Sequence, residues 1–325
     1  MRSRLCDRPS IARHGARRAR PPVSARQSGI ALVAVLWMVA VLAILVGSVA
    51  YAVRIDARLS ASHVEGARAR AALDGGLRLA AAELAATTAR PLVPFELDYR
   101  IGDVTVVVEV VRASGFISIN SAPESLLRDL FIHGAGLPDA QALRLAQRVI
   151  DWRDPDDERL PEGAEAADYA NEGVAHRPRN EAFRHPDDIG QVLGVSPDVH
   201  ATIRGLITAS PGGGAGAINP LTAPPEVLRI VARGDEAVVA RILSSRAAGA
   251  EVVSDLGGLD PRHVGEWFGN DFRLRAFVRE ADESRWTRTA WLSLGPASRA
   301  GAGGPPGHWN HADPMQRLAA PARNN

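Results

Sequence analysis

The chain of 325 residues contains no lysine, and its one cysteine is Cys6. With no lysine, no glycine-rich phosphate loop can end in the lysine that a nucleotide-hydrolysing P-loop requires. With no thiol after residue 6, the rest of the chain forms no disulfide and offers no cysteine nucleophile, even where an oxidising compartment would permit a disulfide. The nine histidines, among them His63, His133, His176, His185, His200 and His263, are scattered. They form no HExxH pair, and no serine sits in a nucleophile elbow. No catalytic constellation emerges, and the expectation is that the protein is not an enzyme.

A third absence is local. Residues 30–53, IALVAVLWMVAVLAILVGSVAYAV, carry no charge. A helix of that length spans about 36 Å at roughly 1.5 Å per residue, enough to cross a bilayer. Upstream stand eight arginines (Arg2, Arg4, Arg8, Arg13, Arg17, Arg18, Arg20, Arg26) against one acid, Asp7, so the leader carries +7. The whole chain is +1, which leaves −6 after residue 29. A basic flank stays in the cytoplasm, so the bulk of the chain is expected on the far side of the membrane. An acidic remainder weighs against nucleic acid as a partner.

The junction Gln27-Ser28-Gly29-Ile30 joins the two segments. A secretory signal places its small-residue cleavage site after the apolar core. Here the small residue, Gly29, precedes it, so a cut between Gly29 and Ile30 removes the arginines and keeps the membrane helix. This arrangement resembles the signal of type IV prepilins and type II secretion pseudopilins. The resemblance implies cleavage after Gly29 by a prepilin peptidase and methylation of the new N-terminus at Ile30. Most of that family carry a glutamate at the fifth mature residue, where this chain has Ala34. A carboxylate in a bilayer persists only with a partner. A subunit at a filament tip has no neighbour above it to supply one.

Beyond the membrane segment, residues 54–89 are rich in helix-forming alanine, leucine, arginine and glutamate. Pro91 and Pro94 end that helix, and Gly75-Gly76 is a place for it to weaken or bend. DVTVVVEVVR at 103–112 and FISIN at 116–120 predict strands. FRLRAFVRE at 272–280 and RWTRTAWLSL at 285–294 predict a β-hairpin turning at 281–284. Strands thus flank a helical middle.

That middle repeats weakly. Ile119-Asn120-Ser121-Ala122-Pro123-Glu124 corresponds to Ile218-Asn219, followed by Ala223-Pro224-Pro225-Glu226. Proline suits a first helical turn. Each copy continues into a helix ending near an arginine, 142–153 and 236–246. Each then reaches a second segment: a hairpin near Gly194 with a helix through Ile207, and residues 255–260 with a helix through Phe268. SPGGGAGA at 210–217 links the copies. The units look like SAM-like or helix-hairpin-helix modules. The hairpin lacks a second glycine, since Val195 and Ser196 follow Gly194, and protein packing is the expected role.

The densest carboxylate cluster is Asp151-Trp152-Arg153-Asp154-Pro155-Asp156-Asp157-Glu158, followed by Glu162, Glu165, Asp168 and Tyr169. Such a cluster repels itself unless solvent, arginine or a cation neutralises it, and all-oxygen ligands suit calcium. The EF-hand pattern fails, because Arg159 stands where its turn glycine belongs. A solvated acidic loop is the alternative.

Asp151, Trp152, Asp154, Gly163, Ala164, Glu165, Asp168 and Tyr169 match the DW-x-D … GAE-x-x-D-Y pattern of K-type minor pseudopilins of type II secretion. Asn180 and Phe183 resemble the next landmark, and the missing glutamate at Ala34 is that family's exception. The resemblance runs from Gly29 to about Leu294. It implies an α+β fold: a pilin-like long N-terminal helix on an antiparallel sheet, with a large α-helical insertion of two SAM-like units. It also implies calcium, with Asp154, Asp156, Glu165 and Asp168 as ligands and Trp152 in the core.

The expected organisation is a leader (1–29), a transmembrane helix (30–53), and a pilin-like helix with the first strands (54–120). Two helical units follow (121–210 and 211–270), then the C-terminal hairpin (271–295) and a disordered tail (296–325). The implied role is at the tip of a periplasmic pseudopilus, initiating its assembly and supporting export across the outer membrane. The protein would be a single-pass inner-membrane protein with its N-terminus in the cytoplasm. The implied partners are the other minor pseudopilins, the major pseudopilin, the prepilin peptidase and the inner-membrane assembly platform. Two readings stand beside it: a minor pilin of a type IV pilus, and a membrane-anchored helix-hairpin-helix protein that binds DNA.

Overall fold

The computed structural model describes residues 28–87, 91–210, 216–279, 285–294 and 308–318. The leader up to residue 27, the centre of the 210–217 linker, the hairpin turn at 281–284 and most of the C-terminal tail lie outside them. The chain divides into two compact units, Met1–Glu65 and Gly66–Asn325.

Helix α1 runs Ser28–Ala86 without a break. In the first unit its residues are exposed, including Ile30, Leu36, Trp37, Ile44 and Tyr51. This stretch is long and apolar enough to cross a membrane. An all-round apolar surface without partners is what a lipid-facing helix presents.

In the second unit one stripe of α1 turns inward. Ala72, Leu73, Leu77, Ala80, Ala81 and Leu84 recur at helical spacing and are buried. They pack on an antiparallel sheet built from β1 (Phe95–Ile101), β2 (Val104–Arg112), β5 (Asp271–Arg279) and β6 (Arg285–Ser293). Val106, Val108 and Val110 of β2 face the helix with Phe272, Leu274, Ala276 and Val278 of β5. The period of two places their neighbours on the opposite face. Helix α1 is unbroken at Gly76. A Cβ there would stand 2.6 Å from Val106 Cγ1, so the glycine lets helix and sheet approach closely.

Several expectations need correction. Strand β1 was not anticipated, although FELDYRI alternates inward and outward. The strand in FISIN is only Ile117–Ser118 (β3), and it pairs in parallel with β4 (Ile207–Thr208), away from the main sheet. Accordingly, the helix expected through Ile207 ends at Ile203. Part of the supposed disordered tail is strand. His308–Ala312 (β7) and Gln316–Leu318 (β8) both pair with β6. Glycine and proline around them mask a short β-forming run from the composition. The sheet order is β1-β2-β5-β6-β7, with β8 also against β6.

Between β2 and β5 lie the helical units, gathered around one core. The first contains α2 (Glu124–Asp129), α3 (Asp139–Arg153), α4 (Ala166–Asn171) and α5 (Pro197–Ile203). The second contains α6 (Pro225–Val231) and α7 (Glu236–Ala247). The helix expected to end at Phe268 is absent. Residues 261–263 form a turn, Val264 makes a parallel bridge with Ile218, and residues 265–268 are irregular. Pro261 and Gly265 both disfavour a helix there.

The weak repeat is real in its hydrogen bonds. Arg153, at the end of α3, donates to the carbonyls of Ile119 (2.5 Å) and Ala122 (2.8 Å). Arg246, at the corresponding place in α7, donates to Pro220 (3.0 Å) and Ala223 (2.7 Å). Asn120 bonds the backbone of Phe183 and Ala209, and Asn219 bonds that of Trp267. In each unit an arginine and an asparagine tie the entry loop to the helix and to the returning chain.

Candidate metal centre

The acidic loop leaves the C-terminus of α3 and returns at α4. Helix α3 buries Ala142, Leu145, Ala146, Val149 and Trp152. Trp152 stacks on Phe183 with ring centroids 5.9 Å apart and an angle of 13°, and it also meets Tyr169 and His176. Tyr169 in turn accepts a hydrogen bond from the Leu193 N–H of the hairpin, at 2.9 Å. The aromatic cluster thus fixes both ends of the loop to the core.

Polar contacts fix its middle. Asn180, in the left-handed region at φ 50°, donates to the Asp156 carbonyl (2.7 Å) and to Asp157 Oδ1 (2.8 Å). Gln147 accepts from the Glu162 N–H at 2.7 Å. The Leu160 N–H donates to Asp151 Oδ2 at 3.3 Å. Gly163 lies so close to Asp151 that a Cβ would overlap the carboxylate. Only glycine fits there.

Three carboxyl groups, Asp151, Asp154 and Glu165, are gathered here, and among the described residues none of them is within ion-pair distance of a basic side chain. Asp151 is fully buried and Glu165 is 7% exposed. Both oxygens of Glu165 and Oδ1 of Asp154 are buried with no hydrogen-bond partner. Burial pushes Glu165 up to about 7, and the charges of Asp151, Asp154, Asp157 and Asp156 push the same way. Asp151 is pushed up to about 6 by burial, with a smaller push from Asp154. Asp154 is raised by burial and by Asp156. Buried carboxylates that raise one another are a site in search of positive charge.

Of the four ligands expected from the sequence, Asp154 and Glu165 face this gathering. Asp156 and Asp168 are each also held by a local contact. Asp156 Oδ1 accepts from the Glu158 N–H at 2.9 Å. Asp168 Oδ2 accepts from the Glu165 N–H at 2.9 Å, and its Oδ1 lies 3.7 Å from Arg159. Asp168 therefore caps α4. Asp151 was missed as a site residue. The signal was its place beside Trp152 on the buried stripe of α3, where an acid needs a reason. Among the described residues, the acidic cluster whose donor atoms lie within 4.8 Å of one another is elsewhere, at His185, Asp187 and Asp313. The loop carboxylates stand further apart, as like charges do. The residues fit a hard cation: the donors are all oxygen, and the orphaned oxygens are those that a cation would satisfy.

The hairpin at residues 193–195 is closed by its own structure. The Leu193 carbonyl accepts from Arg148 at 3.0 Å, and the Val195 N–H bonds Val192. Nearby Asp187 is held by Arg204 and His200.

The model of the family "Type II secretion system (T2SS), protein K" matches residues 109–212. No curated protein matches. A solved structure described as the GspK-GspI-GspJ complex from the enterotoxigenic Escherichia coli type 2 secretion system is similar at 14% identity and a TM-score of 0.49. The likeness covers 82% of this chain and 99% of that one. The family match over residues 109–212 takes in the whole acidic loop from Asp151 to Asp168.

Proposed function

We propose that the protein is a minor pseudopilin standing at the tip of a type II secretion pseudopilus, where it initiates assembly and supports export across the outer membrane. The observation that carries this reading is the family match over residues 109–212, joined to an N-terminal helix whose first part is exposed and apolar. The apolar part of α1 anchors the chain in the inner membrane, with the leader in the cytoplasm and the second unit in the periplasm. Prepilin peptidase cuts between Gly29 and Ile30, and Ile30 is then methylated. The helix associates with those of other minor pseudopilins and of the major pseudopilin through apolar packing. Assembly proceeds on the inner-membrane platform. Ala34 suits a subunit with nothing above it, and two SAM-like units inserted in the sheet make a head too wide to be stacked upon.

In this reading calcium is bound by Asp151, Asp154 and Glu165. Bound there, it would neutralise their mutual repulsion and hold the loop ordered. The chain's own part is to bury the carboxylates, to exclude water from them with Trp152 and Tyr169, and to fix the loop through Asn180 and Gln147. Working parts of this kind are surfaces and an ordering cation, with no reaction to perform.

The test is removal of the gene while the major subunit is overproduced. Filaments should still form, fewer and longer; in cells that keep a labelled copy of the protein, the label should sit at filament ends. Label along the filament length would contradict the tip assignment.

A further inference from the structure

The outer face of the β5–β6 ladder, opposite α1, carries Arg273 and Arg275 across from Trp291 and Thr289, with Thr287 beside them. Helix α5 and the segment between β7 and β8 cover this face incompletely. They leave a cavity of about 230 Å³. Its walls are unevenly neutralised. Arg204 holds both bordering acids, Asp187 at 3.4 Å and Asp313 at 3.3 Å. Arg273 is 9% exposed, donates to the Gly205 carbonyl at 2.8 Å and stands 3.6 Å from Glu109. Its Nε is buried with no acceptor. Thr287 is 5% exposed, and its hydroxyl also has no partner. Arg275 touches the ring of Phe277, and among the described residues no carboxylate lies within ion-pair distance of it.

A buried hydroxyl and a buried guanidinium N–H are costly when no ligand or water satisfies them, and both residues line this cavity. We propose that this cavity binds one carboxylate group, gripped by Arg275 and hydrogen-bonded by Thr287. A carboxylate presents two coplanar oxygens, which match the fork of a guanidinium. Asp187 and Asp313 border the same space, and their repulsion is greater for a doubly charged phosphate than for a singly charged carboxylate. Burial also pushes Arg273 down to about 10, a penalty that an anion in the cavity relieves. The carboxylate can come from a free short-chain acid or from an acidic side chain of a partner protein. This inference stands apart from the secretion reading and from the acidic loop.

The test uses the full-length protein in detergent micelles, titrated calorimetrically at constant ionic strength. The probes are sodium butyrate, inorganic phosphate, and a blocked glycine peptide with one central glutamate. Saturable binding of a carboxylate probe is expected, weakened at least tenfold by Arg275→Gln and by Thr287→Val, with melting temperatures of the free variants close to that of the parent. Tighter binding of the peptide assigns the site to a partner's side chain, and equal or tighter binding of butyrate assigns it to free acids. No saturable binding, phosphate bound more tightly than either, or undiminished binding in both variants would overturn the proposal.

Discussion

Replacing Glu165 by glutamine tests the electrostatics of the acidic loop directly. Glu165 has a folded-state value near 7 against 4.5 for the unconstrained side chain, and Asp151 stands near 6 against 3.8. Both groups are raised, so the folded state holds their protons more tightly than the unfolded state does. Their contribution is complete below about pH 4 and is lost as pH rises through about 6 to 7. The metal-free protein should therefore lose stability between pH 4 and pH 7 and change little above that. At about 1.4 kcal/mol per pKa unit, ionising Glu165 in the metal-free fold costs about 3 kcal/mol. Solvent at the loop's exposed edge screens this, which leaves roughly 2 kcal/mol. Glu165→Gln removes that cost. At pH 8 in chelator its melting temperature should exceed the parent's by roughly 4–8 °C, at about 2–4 °C per kcal/mol for a unit of this size. Calcium should stabilise the parent by about 2.7 kcal/mol at a hundredfold excess over Kd and leave the variant almost unchanged. Thermal unfolding followed by tryptophan fluorescence reads both effects, since Trp152 packs at the loop's root. A parent whose metal-free stability is flat or rising from pH 4 to 7, with a variant no more stable at pH 8, would refute the reasoning.

Other outcomes follow from the same geometry. Gly163→Ala drives a methyl into the Asp151 carboxylate and should cost about 1–3 kcal/mol in urea unfolding, while weakening calcium binding in calorimetry. Arg153→Ala and Arg246→Ala each leave two loop carbonyls without their charged donor. They should destabilise by similar amounts, about 2–4 kcal/mol, and add when combined. Gly76→Ala forces α1 away from Val106 and should cost about 1–3 kcal/mol without altering calcium affinity.

Much of the architecture was visible in the sequence, because its signals are local. The charge-free run, the proline stops at 91 and 94, and the β-branched alternation of β2, β5 and β6 each depend on nearby residues. What was missed depends on distant ones. Strand β1 is short and half polar, and it becomes a strand by pairing with β2. Strands β7 and β8 exist because β6 offers them an edge. The helix expected at 260–268 followed from extending the repeat beyond its copy, while Pro261 and Gly265 argued locally for turns. In the site, carboxylate density marked the loop but not the geometry. Asp168 turns away to cap α4, whereas Asp151 is carried inward by the stripe of α3. Only the folded chain distinguishes an acid that caps a helix from one buried beside other acids.

The central claim is that the chain is processed and assembled as a pseudopilin. Mass spectrometry of the N-terminus of the membrane-extracted protein tests it most directly. The account predicts a chain beginning at Ile30 with a methylated amine, cut after Gly29. A mature N-terminus beyond residue 53, or an intact arginine-rich leader in cells with an active prepilin peptidase, would contradict it.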